Sequence, residues 1–176
     1  MNAGIAEPAV TMSEAQAYVR IETGEEEALL AAMVRSASAI CEAFLNQVVI
    51  ARDFSVDLPA KAQWTRVPVT PVRAITEVAA VNADGTAAVL PADAYAIDVD
   101  AQGDGWVRVS SGTVSRVRVS GRAGIADEPN GVPEPIRHGI LRLVAHLFAS
   151  RDEGGGGEPP AAVTALWRPY RRMRLA

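Results

Sequence analysis

The chain has 176 residues, 49% of them hydrophobic and 22% charged, which suits one domain of ordinary size or a domain with an insertion and excludes a disordered chain. Its single cysteine, Cys41, excludes an internal disulfide and a four-thiolate zinc site. The formal net charge of −4 is uneven, because residues 167–176 carry +4 whereas residues 1–166 carry −8. An acidic body argues against a domain that grips DNA, and a basic tail on such a body is typical of a segment that contacts a partner.

The first ten residues carry no basic residue ahead of their apolar positions, so we expect no signal peptide. No apolar run approaches the roughly 20 residues that a membrane helix requires. We therefore expect a protein of the cytoplasm that has no membrane partner.

The N-terminal third has the pattern of two helices. Thr11 and Glu14 are spaced as a capping box, which predicts a short helix over about 12–20. Thr23 and Glu26 repeat the signal and predict a long second helix over about 24–47. The expected inner side of the first helix is Met12, Ala15, Tyr18 and Val19. Steps of three and four define the apolar stripe of the second: Leu30, Met33, Ala37, Ile40, Cys41, Phe44 and Leu45.

The middle of the chain changes to a period of two, which predicts strands with one covered face. The alternating apolar residues are Phe54, Val56 and Leu58, then Tyr95, Ile97 and Val99, then Val107 and Val109, and finally Val117 and Val119. Glycine-containing turns separate these runs, at 84–85, 103–105 and 111–112. The region is predicted to be a small antiparallel sheet or sandwich.

Helical spacing returns towards the C-terminus. An apolar stripe predicts a helix from about Pro135 to Ser150, the glycines at 154–157 predict a flexible link, and Pro160 can start a last short helix that ends near Trp167. The members of that stripe are Ile136, Ile140, Leu143, Val144 and Leu147. The predicted fold class is α+β, with a helical module (residues 1–47 and 130–176) and an inserted small antiparallel β domain (residues 48–129).

Residues that could carry chemistry are few, and we expect no catalytic, cofactor-binding or metal site. His138 and His146 lie two helical turns apart, about 12 Å, which one metal ion cannot bridge. Cys41 falls in an apolar stripe, where a thiol is inert. The glycine run lacks the Lys and Ser/Thr of a phosphate loop. A small enzyme with an unrecognised site in the β domain stays an alternative; its candidate residues are Asp93, Asp98, Asp100 and Asp104.

Three arginines of the β region, Arg108, Arg116 and Arg118, are candidates for one basic strand face. Such a face would suit a nucleic-acid-binding regulator. The acidic body and the lack of interleaved aromatic residues favour a solvated outer face instead.

The C-terminal tail contains the residue types that dominate binding hot spots. We predict that it docks on a partner, with Trp167 and Tyr170 as anchors and the arginines giving orientation. The alternative is that Trp167 packs back on the helical core, and the two can hold together. The predicted docking residues are Trp167, Arg168, Tyr170, Arg171, Arg172 and Arg174.

Four segments together resemble the phage head–tail connector family, the head-completion adaptors of phages, prophages and gene transfer agents. The first two are TMSEAQAYVRI at 11–21 and VTPVRAITEV at 69–78. The third comprises GRAG at 121–124, VPEPI at 132–136 and FASRD at 148–152. The fourth is VTALWRPYRR at 163–172. Their order and spacing span nearly the whole chain.

The resemblance implies a structural, non-enzymatic protein without cofactors. Such adaptors form a ring, typically of twelve copies, under the portal ring; they extend the channel for passing DNA and offer a platform to stopper and tail proteins. Their C-terminal segment engages the portal. A stopper or tail-completion protein of the same particle is the alternative. On this basis we expect a mobile C-terminal arm whose deletion, over residues 167–176, leaves the fold intact and abolishes portal binding.

Overall fold

The computed structural model describes residues 7–21, 26–110, 114–151 and 159–173. Contacts within the chain define two compact units. The described residues of one, the β unit, lie in Ala51–Ile125, and those of the other, the helical unit, lie in Ile5–Ile50 and Ala126–Ala176. The predicted α+β class is confirmed, since the helices fall in one unit and the antiparallel strands in the other. The glycine link predicted at 154–157 lies outside the described residues.

The helical unit contains four α-helices among its described residues. They are α1 (Met12–Val19), α2 (Glu27–Leu45), α3 (Glu134–Ala149) and α4 (Ala161–Trp167), followed by a 3₁₀ turn at Arg168–Tyr170. The α2 helix packs against α3, and α1 and α4 each contact both of them.

The capping box at the start of α1 is confirmed. The amide of Glu14 donates to the Thr11 hydroxyl at 3.2 Å, and the Thr11 amide donates to the Glu14 carboxylate at 2.8 Å. The same carboxylate forms an ion pair with Arg137 of α3, whose side chain is only 12% exposed. Glu14 therefore both starts α1 and ties it to α3. On the expected inner side of α1 only Ala15 is buried, and Tyr18 is exposed and lies edge-on to His138.

The α2 helix begins at Glu27, later than the predicted residue 24, and its N-cap Glu26 makes no side-chain capping hydrogen bond. The second capping box was predicted on Thr23, which lies outside the described residues. The buried stripe is also rotated from the predicted one. It comprises Leu30, Val34, Ala37, Ser38, Cys41 and Leu45, whereas Met33, Ile40 and Phe44 are half-buried.

By length and composition alone, α2 could cross a membrane, contrary to the expectation that no apolar run is long enough. One such helix is weak evidence, because the core helix of a folded unit has the same properties. Here Leu30, Val34 and Leu45 are buried against neighbouring helices.

The α3 helix contributes most of the other side of this core. Four of the five predicted stripe residues are buried, and Leu147 is half-buried. Gly139, which the apolar pattern did not include, is buried on the same side. The predicted boundaries of α3 and α4 agree with the structure to within about one residue.

The described residues of the β unit form two antiparallel sheets. Its strands are β1 (Arg52–Pro59), β2 (Thr65–Arg66), β3 (Val72–Val81), β4 (Ala87–Val89), β5 (Tyr95–Val99), β6 (Gly105–Val109) and β7 (Arg116–Ala123). The four-stranded sheet has the order β1-β7-β3-β4 and the three-stranded sheet the order β2-β6-β5.

The period-two prediction holds for three of the four alternating runs. Phe54 and Val56 of β1 are buried, as are the predicted valines of β6 and β7. It is wrong for β5, where Ile97 is 42% and Val99 37% exposed. Ile97 pairs with buried Val107 and so shares its face, but β5 lies at the edge of its sheet, where less of the chain covers that face.

The ionised Glu14 gives the helical unit a testable pH dependence. The hydrogen bond from the Thr11 backbone, with the Arg137 guanidinium, lowers the pKa of Glu14 below its ordinary value of 4.5. A lowered pKa adds stability above that value, and the contribution is lost as pH falls through the folded-state pKa. We expect Glu14→Gln, which keeps the capping geometry, to cost about 1 kcal/mol at pH 7.

The measurement is the free energy of unfolding by urea at several pH values. The difference between wild type and Glu14→Gln should shrink as pH falls from neutral to below 4.5. Glu77→Gln, on an exposed position of β3, is the control and should show no such change. A difference that stays constant with pH would contradict the role of the charged Glu14.

Candidate functional site

The end of α4 is anchored in the helical core. Trp167 is fully buried and is the largest of the buried side chains. Its indole Nε1 donates to the carbonyl of Ile136 at 3.2 Å, and its ring centroid lies 5.8 Å from that of Phe44. The alternative that Trp167 packs back on the helical core therefore describes its position in this structure.

Gly139 of α3 makes room for this tryptophan. A Cβ atom at position 139 would overlap the indole of Trp167, at Nε1 and at the neighbouring ring carbons. A helix interior ordinarily disfavours glycine by roughly 0.5–1 kcal/mol relative to alanine. Close packing of the indole on the α3 backbone explains why the residue at this position has no side chain.

The segment beyond Trp167 is held against the C-terminal end of α2. The Gln47 side chain donates to the Tyr170 carbonyl at 2.6 Å, and the Arg172 amide donates to the Leu45 carbonyl at 2.9 Å. These bonds satisfy carbonyls on both segments, including one at the end of a helix. The expectation of a mobile arm is wrong for 167–173, because the buried tryptophan and these two bonds hold that segment on the helical unit.

The expected result of deleting residues 167–176 changes accordingly. Because that deletion would remove the largest buried side chain of the helical unit, we now expect it to destabilise the fold. Of the other predicted docking residues, Arg168 and Arg171 are exposed and Tyr170 and Arg172 are half-buried, while Arg174 lies outside the described residues.

The anchored segment and the end of α2 enclose a surface cleft of about 400 Å³. The Arg171 guanidinium lies over the Phe44 ring, 5.1 Å from its centroid, and Met173 at the edge is 85% exposed. The cleft, called the Arg171 cleft below, is lined by Ala43, Phe44, Asn46, Arg171, Arg172 and Met173. It combines the Phe44 ring with the Arg171 guanidinium that lies over it, and Arg172 also contributes to its lining.

The charge around the cleft is the reverse of that of the rest of the helical unit. Residues 1–50 and 126–166 together carry 13 acidic and 5 basic residues, whereas residues 51–125 carry 8 acidic and 8 basic residues. In the described part of the chain no acid forms an ion pair with Arg168 or Arg171. The cleft is therefore a local cationic site on an acidic unit.

The three arginines considered as candidates for one basic strand face do not share a strand or a sheet. Arg116 and Arg118 lie on β7 and both pair with Asp57 of β1, Arg118 through two hydrogen bonds of 2.8 and 3.1 Å. These bonds hold the pKa of Asp57 below its ordinary value of 3.8. Arg108 lies on the other sheet, 4.9 Å from the ring centroid of exposed Trp64. The sequence analysis missed this aromatic neighbour, because the pairing depends on the register of β2 with β6.

The aspartates considered for an enzyme site have structural partners or face solvent. Asp100 accepts hydrogen bonds from the amides of Gln102 and Asp104, and Asp104 pairs with Arg66 at 2.7 Å. Asp93 and Asp98 are exposed. Within the described ranges no group of three or more His, Cys, Asp or Glu residues could hold a metal ion. Cys41 is buried, and burial raises the pKa of its thiol.

Three solved chains have this fold over almost the whole sequence. One is from the neck of an empty gene transfer agent (GTA) particle computed with C6 symmetry, with a TM-score of 0.74 and 24% identity, covering 96% of this chain and 92% of that one. Another is from the virion of a native GTA particle, with a TM-score of 0.73, 22% identity and coverages of 96% and 92%. The third is from the neck of a native GTA particle computed with C12 symmetry, with a TM-score of 0.73, 21% identity and coverages of 96% and 91%.

The fold is thus the one seen in chains of GTA necks and virions, which is consistent with the resemblance to head–tail connectors. No protein-family model and no curated protein matches the sequence. At these identities the likeness defines the fold, and the function rests on the argument that follows.

Proposed function

We propose that this protein is a structural, non-enzymatic head–tail adaptor in the neck of a phage-like particle such as a gene transfer agent. It binds the portal ring, extends the DNA channel and provides a platform for stopper and tail proteins. It assembles in the host cytoplasm and then stays in the neck of the finished particle. The observation that carries the proposal is the likeness to GTA neck chains, which covers 96% of this chain and includes both units.

The portal-binding surface is the anchored C-terminal segment with the Arg171 cleft. Arg168 and Arg171 project from a backbone already fixed by Trp167 and the bonds to α2, so binding costs little ordering entropy there. Tyr170 and Arg172 complete the surface, and Arg174, which follows in the sequence, is a further candidate docking residue. Tyrosine and arginine in a preorganised site are typical of binding hot spots.

The protein forms a ring of twelve copies, and neighbouring copies contact through the helical unit. The outward face of α2 supports this, since Ala28, Leu29, Ala39 and Ala43 are exposed and Leu29 retains 42% of its accessible surface. Small residues allow close approach of a neighbouring helix. The ring passes DNA without binding it, because acidic surface repels phosphate and avoids the salt-dependent grip of basic surfaces.

The proposal is tested by native mass measurement of the purified chain, alone and mixed with the portal of the same particle. We expect the portal to gain mass in multiples of the 18.6 kDa subunit, up to twelve copies per twelve-fold portal. Binding to the tail tube or to stopper proteins without any binding to the portal would instead assign the chain to tail completion.

A further inference from the structure

We infer that the Arg171 cleft binds an acidic residue adjacent to an apolar side chain of the partner protein. The inference rests on the proposed docking role of the C-terminal segment and names the chemistry of the element it receives. The cleft offers two kinds of contact side by side, an aromatic and thioether surface from Phe44 and Met173 and the guanidinium of Arg171.

The position of Arg171 favours a carboxylate. The Arg171 guanidinium lies over the Phe44 ring, 5.1 Å from its centroid, and this cation–π contact holds it at the cleft. Arg171 is exposed, and none of the described acids forms an ion pair with it. A guanidinium can donate to both oxygens of a carboxylate at once, so Arg171 offers a binding group for one.

The apolar part of the site favours a hydrophobic neighbour for that carboxylate. Met173 is 85% exposed at the edge of the cleft, and Phe44 is half-buried beneath Arg171. An apolar side chain of the partner would cover both, and it would exclude water from the ion pair. Methionine is flexible and polarizable, so it can adapt to such a side chain.

The charge distribution also makes a protein carboxylate the best occupant. The remainder of the helical unit carries −8, which repels a polyanion such as DNA over its extended length. A short acidic segment interacts with the local cationic site and avoids most of that repulsion. The favoured occupant is therefore one carboxylate within an otherwise apolar peptide.

The test uses ¹⁵N-labelled full-length protein titrated with N-acetyl-phenylalanine, whose carboxylate lies next to an aromatic side chain. The control ligand is N-acetyl-phenylalaninamide, which has the same ring and no charge. We expect the carboxylate to shift the amide resonances of residues 43–46 and 171–173, with weaker binding at high salt. We expect the amide to bind about tenfold more weakly.

The matched variant is Arg171→Gln, which retains an exposed polar side chain and should fold normally. It should abolish the preference for the carboxylate, whereas Arg35→Gln, on an exposed position of α2, should not. Equal binding of the two ligands, or shifts confined to other regions, would overturn the inference.

A parallel portal-binding assay separates this inference from the proposed function. If the Arg171→Gln variant binds the portal as tightly as the wild type does, the inference about the cleft is wrong and the adaptor role is unaffected. If the wild-type protein binds the carboxylate ligand selectively in the cleft but does not bind the portal, the adaptor role is wrong and the inferred ligand chemistry of the cleft is supported.

Discussion

Replacing Trp167 with alanine is expected to lower the free energy of unfolding of the helical unit by about 3–5 kcal/mol. The side chain is fully buried, contacts Phe44 and donates its Nε1–H to the Ile136 carbonyl. Its removal leaves a large cavity and deletes the indole hydrogen bond to the Ile136 carbonyl. The helical content is followed by circular dichroism during urea unfolding, and Trp64→Ala, at a 44% exposed position, is the control with an expected effect below about 1 kcal/mol.

The close approach of Gly139 to Trp167 allows a second, independent test of the same packing. Gly139→Ala should destabilise the protein, although alanine has the higher helix propensity, because the new Cβ overlaps the indole. In the Trp167→Ala background the same change should be neutral or stabilising. A double-mutant cycle with no coupling between the two positions would contradict the observed packing.

Replacing three arginines of the docking surface together, Arg168, Arg171 and Arg172, with alanine is expected to weaken portal binding by at least about 100-fold. All three residues belong to the anchored segment, and Arg171 and Arg172 are among the residues that line the cleft. The main-chain bond from Arg172 and the burial of Trp167 remain, so the fold should be retained.

A matched charge control uses three exposed arginines elsewhere, Arg35, Arg116 and Arg142. It removes the same net charge and should change portal affinity by only a few-fold, mainly through the association rate. Equal losses in the two triple variants would indicate a nonspecific charge effect and contradict a docking surface at the C-terminal segment.

Much of this fold follows from local patterns in the sequence. The capping box at Thr11, the α3 stripe and the alternation in β1, β6 and β7 are short-range signals, and the structure confirms each of them. The predicted start of α2 and the predicted burial of Ile97 were wrong because both depend on tertiary structure. The first residue of a helix depends on the path of the chain before it, and the burial of a strand residue depends on which other parts of the chain pack on that face.

The candidate site shows the same division between local and tertiary information. Residue type alone pointed to the tail, since Trp, Tyr and Arg occur together there. Residue type could not assign separate roles to them. Only the packing of Trp167 on Gly139, at a distance of 28 positions in the chain, shows that the tryptophan is a core residue. Arg168 and Arg171 are exposed, whereas Arg172 is half-buried. The contact of the Arg171 guanidinium with the Phe44 ring is likewise invisible in the sequence.

The most direct measurement is a cryo-electron microscopy reconstruction of the neck of the particle that contains this chain. The account predicts a ring of this fold immediately beneath the portal, with residues 168–173 at the portal contact and acidic surface towards the DNA. Density for the chain elsewhere in the particle, or a portal contact made by the β unit with Arg171 facing solvent, would contradict it.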